Sequence, residues 1–197
     1  MTEPAKLLDA AVRRDGSRPF ITWYDGAGGR VELSVTTTAN WVAKTAGYFE
    51  DELGLEPGAA VAIDPALHWL TAIALLAGWS VGAEVAFDPA HGAEPVDVPL
   101  DPMGAALSRL VAAYPDTFTP SSPSKYNAEV TEIPACARVL SALPLDGNGV
   151  DLGLLAPLAC GGSVVYAPAA ADLASIAASE RVTHTVGVDV PGLPRLG

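Results

Sequence analysis

The sequence has little positive charge. It contains 11 lysine and arginine residues against 23 aspartate and glutamate residues, which gives a formal net charge of −12 and a pI of about 4.4. The basic residues are scattered along the chain and form no cluster. Proteins that bind nucleic acids or anionic lipid surfaces concentrate positive charge on one face. We therefore expect neither a nucleic-acid partner nor a membrane surface as partner.

Cysteine and histidine are also scarce. The two cysteines, Cys136 and Cys160, are too few for a disulfide framework. Together with the three histidines, His68, His91 and His184, they show no spacing typical of a metal site. The sequence thus predicts no metal site, and a reducing cytoplasmic location is the default expectation.

Long apolar runs are missing too. The most hydrophobic segment, "WLTAIALLAGWSVGA", lies between His68 and Glu84 and is shorter than the ~18 apolar residues that a membrane span requires. It is typical of a buried helix. The N-terminal segment, "MTEPAKLLDAAVRRDG", has charges on both sides of a short apolar patch, so we expect no secretion signal there.

Half of the 197 residues are apolar, enough for a sizeable core. We expect a single α/β domain over residues 1–197. Residues 1–87 form a first βα portion, and residues 135–197 form a second one. Between them lies a proline-rich connector, residues 88–134, with a helix at about 101–114.

In the first portion, "RPFITWYDGAGGRVELS" reads as a β-hairpin around a glycine-rich turn. Ser34 is a typical cap for the amphipathic helix that follows. The apolar run "AAVAID" predicts a buried strand, and Asp64 with Pro65 predicts the start of the next helix. With the strand "AEVAF", these elements make a βαβ unit.

The second portion repeats this alternation. It contains the candidate strands "ARVLSAL", "SVVYAP" and "VTHTVGV", with helices over "VDLGLLAPLAC" and residues 172–180. Alternating strands and helices favour a layered α/β fold with a mainly parallel β-sheet flanked by helices. Whether a βα element has been lost around residues 88–99 stays open.

Several of these segments, taken in order, resemble the large N-terminal domain of the AMP-forming adenylating enzymes, which include acyl-CoA synthetases, luciferases and nonribosomal adenylation domains. The matching segments are "RPFITWYDG", "LGLEPGAAVAID", "HWLTAIALLAGWSVGAEV", "LLAPLACGGSVVYAP" and "SERVTHTVGVDVP". The resemblance implies that family's fold. It also raises the expectation of acyl-adenylate formation from a carboxylate and MgATP.

That chemistry depends on a flexible Ser/Thr/Gly-rich loop that closes in a lysine, and only "TPSSPSKYN" can be compared with it. Two prolines remove backbone N–H donors here, and no glycine supplies the positive φ angles of a phosphate cradle. We therefore interpret the segment as a connector. Should a phosphate site survive, its candidate cofactor-binding residues are Ser121, Ser122, Ser124 and Lys125.

Other family features are altered or cannot be placed. Where the family has a proline-leucine-aromatic-histidine segment beside its acyl pocket, this chain has Leu143–Pro144–Leu145–Asp146. The family's adenine-binding motif, its Mg²⁺-holding and ribose-binding residues and its C-terminal lid cannot be matched to any segment. We expect a non-catalytic domain without catalytic residues, metal or cofactor.

Single residues support no other chemistry. We expect His68 on the surface in the first turn of a helix, and His184 as a core or edge histidine. Cys160 is expected at a helix end. We interpret the four tryptophans as core or interface anchors: Trp23, Trp41, Trp69 and Trp79.

The sequence thus predicts a degenerate adenylating-enzyme-like domain that acts as a binding or self-association module and forms a homodimer. One alternative is a nucleotide-binding partner or subunit of an acyl-adenylating enzyme, in which Lys125 and the serines contact the nucleotide. Another is an ATP-independent carrier or sensor of a small apolar or acyl ligand, with an apolar cavity bounded by "LLAPLACGGS".

Overall fold

The computed structural model describes residues 3–87, 93–119 and 128–197. The described helices are α1 (Pro4–Asp15), α2 (Val35–Asp51), α3 (Trp69–Val81), α4 (Ala105–Val111), α5 (Gly147–Val150), α6 (Ala156–Cys160) and α7 (Leu173–Ser179), with a π-helical turn over Asp151–Leu155. The strands are β1 (Pro19–Tyr24), β2 (Arg30–Ser34), β3 (Ala60–Ala62), β4 (Glu84–Ala86), β5 (Glu94–Pro95), β6 (Arg138–Ser141), β7 (Ser163–Tyr166) and β8 (His184–Val186).

The larger sheet has five strands in the order β2-β1-β7-β6-β8. Strands β1 and β2 are antiparallel and form the predicted hairpin, while β1, β7, β6 and β8 run parallel to one another. The parallel strands come from opposite ends of the chain. Strand β1 therefore joins the N-terminal hairpin to the second βα portion.

The smaller sheet has three parallel strands in the order β4-β3-β5. Strand β3, helix α3 and strand β4 form the predicted βαβ unit. All 13 residues of α3 are buried, which confirms that the most hydrophobic segment of the sequence is a core helix. No helix in the described parts of the chain is long and apolar enough to cross a membrane.

Helix α2 begins as the sequence predicts. The Ser34 hydroxyl accepts a hydrogen bond from the Thr37 N–H at 3.1 Å, because a side-chain oxygen at this position satisfies a free N–H of the first turn.

The predicted start of α3 is wrong. Asp64 accepts from the Ala66 N–H at 3.0 Å and closes a local turn, but the helix begins at Trp69 with His68 as its cap. The Asp-Pro pair thus forms a turn before the helix and does not start it.

The two portions share one large apolar core that contains α3, the inner faces of α1 and α2, and strand β1. Trp69 and Trp79 are almost fully buried, Trp23 is buried, and the half-buried Trp41 packs edge-on against Trp69 at 5.3 Å between ring centroids. The predicted α/β fold with a mainly parallel sheet flanked by helices is confirmed.

Candidate functional site

The residues that the sequence predicted for a phosphate site, Ser121, Ser122, Ser124 and Lys125, lie outside the part of the chain that the structure describes. His91 lies outside the described residues as well. The candidate sites among the described residues are cavities and clusters of polar side chains.

A cavity of about 580 Å³ opens at the carboxyl ends of the three parallel strands of the smaller sheet. Its walls are mostly apolar, and two carboxylates, Asp64 and Asp97, line it as well. The full set of lining residues is Ala62, Ile63, Asp64, Pro65, Phe87, Pro95, Val96 and Asp97. A volume of this size can hold a small organic molecule.

The position of this cavity follows from the strand order. Strand β3 lies between β4 and β5. The chain leaves β3 toward β4 on one side, and the next strand, β5, returns to the other side of β3. At such a point the connections diverge and leave a crevice at the carboxyl ends of the strands, where open α/β sheets bind their ligands. Neither Asp64 nor Asp97 was singled out as a site residue from the sequence. The sequence signal that could have indicated them is their position two residues after the ends of β3 and β5.

A smaller cavity, about 300 Å³, lies between α2 and α4. Trp41 and Val111 give it apolar walls, and Thr37, Asn40 and Ser108 add hydrogen-bonding groups. Its only cation among the lining residues is Lys44. Because the Lys44 ammonium already donates to the Tyr114 carbonyl at 2.7 Å and pairs with Asp116 at 3.2 Å, it is not free to hold an anion.

Glu180 is the centre of an ion-pair cluster on the larger sheet. Its carboxylate accepts hydrogen bonds from Tyr24, Arg138 and Arg30, the last at 2.8 Å from Nε. Burial alone would raise the pKa of Glu180, but the hydrogen bonds from Arg30, Tyr24 and Arg138 outweigh it and hold the pKa at about 2. The cluster ties the end of α7 to the sheet, and its charges are already paired.

His68 is not on the surface, so that prediction is wrong. Its side chain is buried, only 7% exposed, and lies between the rings of Trp23 and Trp69 at centroid distances of 4.4 and 6.0 Å. Burial lowers the pKa of His68 to about 4, against a smaller opposing effect of the Asp101 carboxylate. The helix begins four residues later than the sequence suggested, which turns the histidine from a first-turn residue into the buried cap.

The segment that would border the family's acyl pocket contributes Leu145 to the core, while Pro144 and Asp146 are exposed. Leu145 is fully buried, and its N–H donates to the Pro65 carbonyl at 2.7 Å. Leu154, Leu155 and Leu158, from the "LLAPLACGGS" segment, are at most 1% exposed. The two cavities described above are lined by other parts of the chain.

The remaining candidates have structural surroundings. Cys160 is the last residue of α6, and Gly161 ends that helix with φ +77°. His184 lies on the edge strand β8, where Nδ1 and the Thr183 hydroxyl are 2.9 Å apart. Within residues 3–87, 93–119 and 128–197, no group of three or more His, Cys, Asp and Glu side chains is placed to hold a metal ion.

Comparison with known proteins gives a family only at the level of fold. No protein-family model matches the chain. A Mycobacterium tuberculosis protein that is named only by a numbered family label is 44% identical over 150 residues, which is 74% of this chain and 58% of that protein. The chain thus spans little more than half of this relative's length.

Three solved structures of adenylating enzymes have the same fold as this chain. The anthranilate CoA ligase AuaEII, in complex with anthranoyl-AMP, has a TM-score of 0.70 at 12% identity. The N-terminal subdomain of NpsA from Klebsiella oxytoca, in complex with 3-hydroxybenzoyl-AMSN, has a TM-score of 0.66 at 14% identity. A fatty acid AMP ligase from Legionella pneumophila has a TM-score of 0.65 at 10% identity.

Each of these matches covers 94% of this chain. It covers only 48% of the anthranilate CoA ligase, 60% of the NpsA subdomain and 44% of the fatty acid AMP ligase. The fold implied by the sequence resemblance is therefore confirmed: the chain has the fold of the N-terminal part of AMP-forming adenylating enzymes. Fold similarity does not transfer the activity of those enzymes.

Proposed function

We propose that this chain is a non-catalytic binding module on the adenylating-enzyme scaffold, and that it holds a small molecule with an apolar body and a cationic amine in the cavity at the carboxyl ends of β3, β4 and β5. The observation that carries the proposal is the lining of that cavity, where Asp64 and Asp97 accompany apolar walls. Two carboxylates attract an amine and repel the carboxylate and phosphate groups of the adenylation substrates.

The net charge of the whole chain also favours a cationic ligand over an anionic one. With a net charge of −12, the long-range field disfavours the approach of ATP and favours that of a cation. In the described residues, Leu145 and Leu154, from the segments comparable to the family's acyl pocket, are fully buried, which favours a ligand site elsewhere.

A charge series of one ligand shape tests this proposal. Calorimetric titrations would compare phenethylamine, the neutral phenethyl alcohol and the anionic phenylpropionate. We expect the amine to bind and Asp97→Asn to weaken it about tenfold, about 1.4 kcal/mol, whereas Glu56→Gln, an exposed carboxylate outside the cavity lining, leaves binding unchanged. Tighter binding of the anion, or carboxylate-dependent ATP–pyrophosphate exchange by the pure chain, would contradict the proposal.

A nucleotide-binding subunit is the second candidate, and the shared fold with the anthranoyl-AMP-bound ligase favours it. Here Lys125, with Ser121, Ser122 and Ser124, contacts the phosphates. Saturable MgATP binding that Lys125→Ala abolishes and Lys44→Ala preserves would put this candidate first. Equal affinity in wild type and Lys125→Ala would remove it.

Self-association is part of the proposed role. Large apolar side chains at Leu53, Leu100, Met103 and Leu110 are exposed, Met103 to 75%, and apolar surface of this kind is covered in many homodimers. Light scattering coupled to size-exclusion chromatography should give a dimer mass that Met103→Asp with Leu110→Asp reduces to a monomer. A wild-type monomer at high concentration would refute self-association without touching the ligand proposal.

A further inference from the structure

The two cysteines, 24 positions apart in the sequence, are neighbours in the fold. The backbone N–H of Cys136 donates to the carbonyl of Cys160 at 3.1 Å. A disulfide requires Cα atoms roughly 4.4–6.8 Å apart, and a direct backbone hydrogen bond brings two residues to about that separation. The backbone therefore makes this pair a candidate for a disulfide.

The thiol of Cys160 lies on the side of α6 that faces the start of β6. A Cβ atom built on Gly162 would be 3.0 Å from the Cys160 sulfur and 2.0 Å from the carbonyl oxygen of Ala137, the residue that follows Cys136. Only a glycine fits between them, which lets the sulfur approach the strand that Cys136 leads into.

A partly buried cation, Arg18, lies next to Gly162. Arg18 donates through Nη1 to the Gly162 carbonyl, while its Nε and Nη2 atoms are buried without a hydrogen-bond partner in the described structure. Burial is the main cause that lowers the pKa of Arg18, and Arg14 lowers it further, whereas Asp15, Cys160 and Cys136 raise it. Both cysteines therefore lie close enough to one guanidinium to interact with it, which agrees with their proximity to each other.

The exposure of the two side chains gives each a different role. Cys136 is exposed and Cys160 is half-buried. A bulky oxidant therefore reaches Cys136 more easily. Cys160 is the thiol that can attack the resulting mixed disulfide on Cys136 from within the fold.

We propose that Cys136 and Cys160 form a redox pair that is oxidised to an intramolecular disulfide by a low-molecular-weight disulfide such as oxidised glutathione. The Cys136 thiolate attacks one sulfur of oxidised glutathione, which breaks that S–S bond, forms a mixed disulfide and releases one glutathione thiolate. The Cys160 thiolate then attacks the Cys136 sulfur and releases the second glutathione. Both protein thiols are oxidised, and one oxidised glutathione is reduced to two molecules of glutathione.

The test is intact-protein mass spectrometry after incubation of the full chain with oxidised glutathione, followed by peptide mapping. We expect the wild-type mass to fall by about 2 Da as both thiols disappear together, and a cross-linked peptide pair that contains Cys136 and Cys160. In Cys160→Ser the reaction should stop at the mixed disulfide on Cys136. Because Cys136 is exposed, Cys136→Ser keeps the fold, and it should react at least tenfold more slowly.

Two independent glutathione adducts on one wild-type chain, disulfide-linked dimers, or thiols that stay unmodified would each overturn the redox pair. Circular dichroism of every variant excludes unfolding as the cause.

Discussion

The Nδ1 atom of His68 accepts a hydrogen bond from the backbone N–H of Leu70 at 3.1 Å. This bond requires Nδ1 to be unprotonated, so the neutral ring carries its hydrogen on Nε2, which is buried without a hydrogen-bond partner among the described residues. Protonation would put a second hydrogen into a buried ring and break the cap of α3. The histidine is therefore a weak point of the fold in acid.

Acid should destabilise the protein first through His68. An unfolded histidine binds a proton below pH 6.5, while the folded one does so only below about pH 4. The unfolded state binds more protons in this window, so the free energy of unfolding falls as the pH is lowered from 6.5 to 4, by up to about 3 kcal/mol. Urea denaturation at a series of pH values measures this fall in the free energy of unfolding.

His68→Asn is the informative variant, because an asparagine oxygen can cap the helix without titrating. It should flatten the pH dependence between 6.5 and 4. His184→Asn, on the edge strand, should leave that dependence in place. An unchanged slope in His68→Asn would show that another group titrates.

Glu180→Gln should destabilise the fold by about 3 kcal/mol, because it removes the closest carboxylate from the largely buried Arg138 and leaves it only Glu32 at 4.0 Å, while Arg30 keeps its pair with Glu32. In the wild type, the folded pKa of about 2 lies below the unfolded value of 4.5. The stabilising contribution is therefore full above pH 4.5 and is lost as the pH falls through 2. Thermal unfolding at pH 7 checks the substitution, with the exposed Glu132→Gln as control; equal melting temperatures would disprove the role of the cluster.

Gly162→Ala should cost about 3 kcal/mol, since the new Cβ would lie 2.0 Å from the backbone oxygen of Ala137. Gly78→Ala is the matched control. Its nearest atom is a Val85 methyl group at 3.2 Å, and alanine favours a helix by about 1 kcal/mol over glycine. Chemical denaturation of both variants should show a large loss for the first and a change within about 1 kcal/mol for the second. Similar losses would refute the predicted clash.

Leu145→Ala should lose about 3 kcal/mol of unfolding free energy, because its fully buried side chain would leave a cavity in the core. Leu143→Ala, two residues earlier and half-buried, should lose less. If Leu145→Ala instead unfolds like the wild type, this segment has room for a ligand, and the carrier hypothesis regains support.

Features that depend on neighbouring residues could be predicted from the sequence. The hairpin at Pro19–Ser34, the Ser34 cap and the βαβ unit around α3 follow from turn residues, capping side chains and apolar periodicity, which act over a few positions. The family's fold was recognised from the order of such segments. The serines and lysine of "TPSSPSKYN" stay a prediction, since they lie outside the described residues.

Tertiary structure alone decided the rest, because it brings together residues that are far apart in the chain. Glu180 meets Arg30 across 150 positions, Arg18 reaches Gly162 across 144, and Asp64 and Asp97 share a cavity only because β5 pairs with β3. His68 looked like a surface residue because its sequence neighbours do not reveal that Trp23, from the other sheet, packs against it. Local signals fix where helices and strands form, but the chemistry of a site depends on which of them pack together.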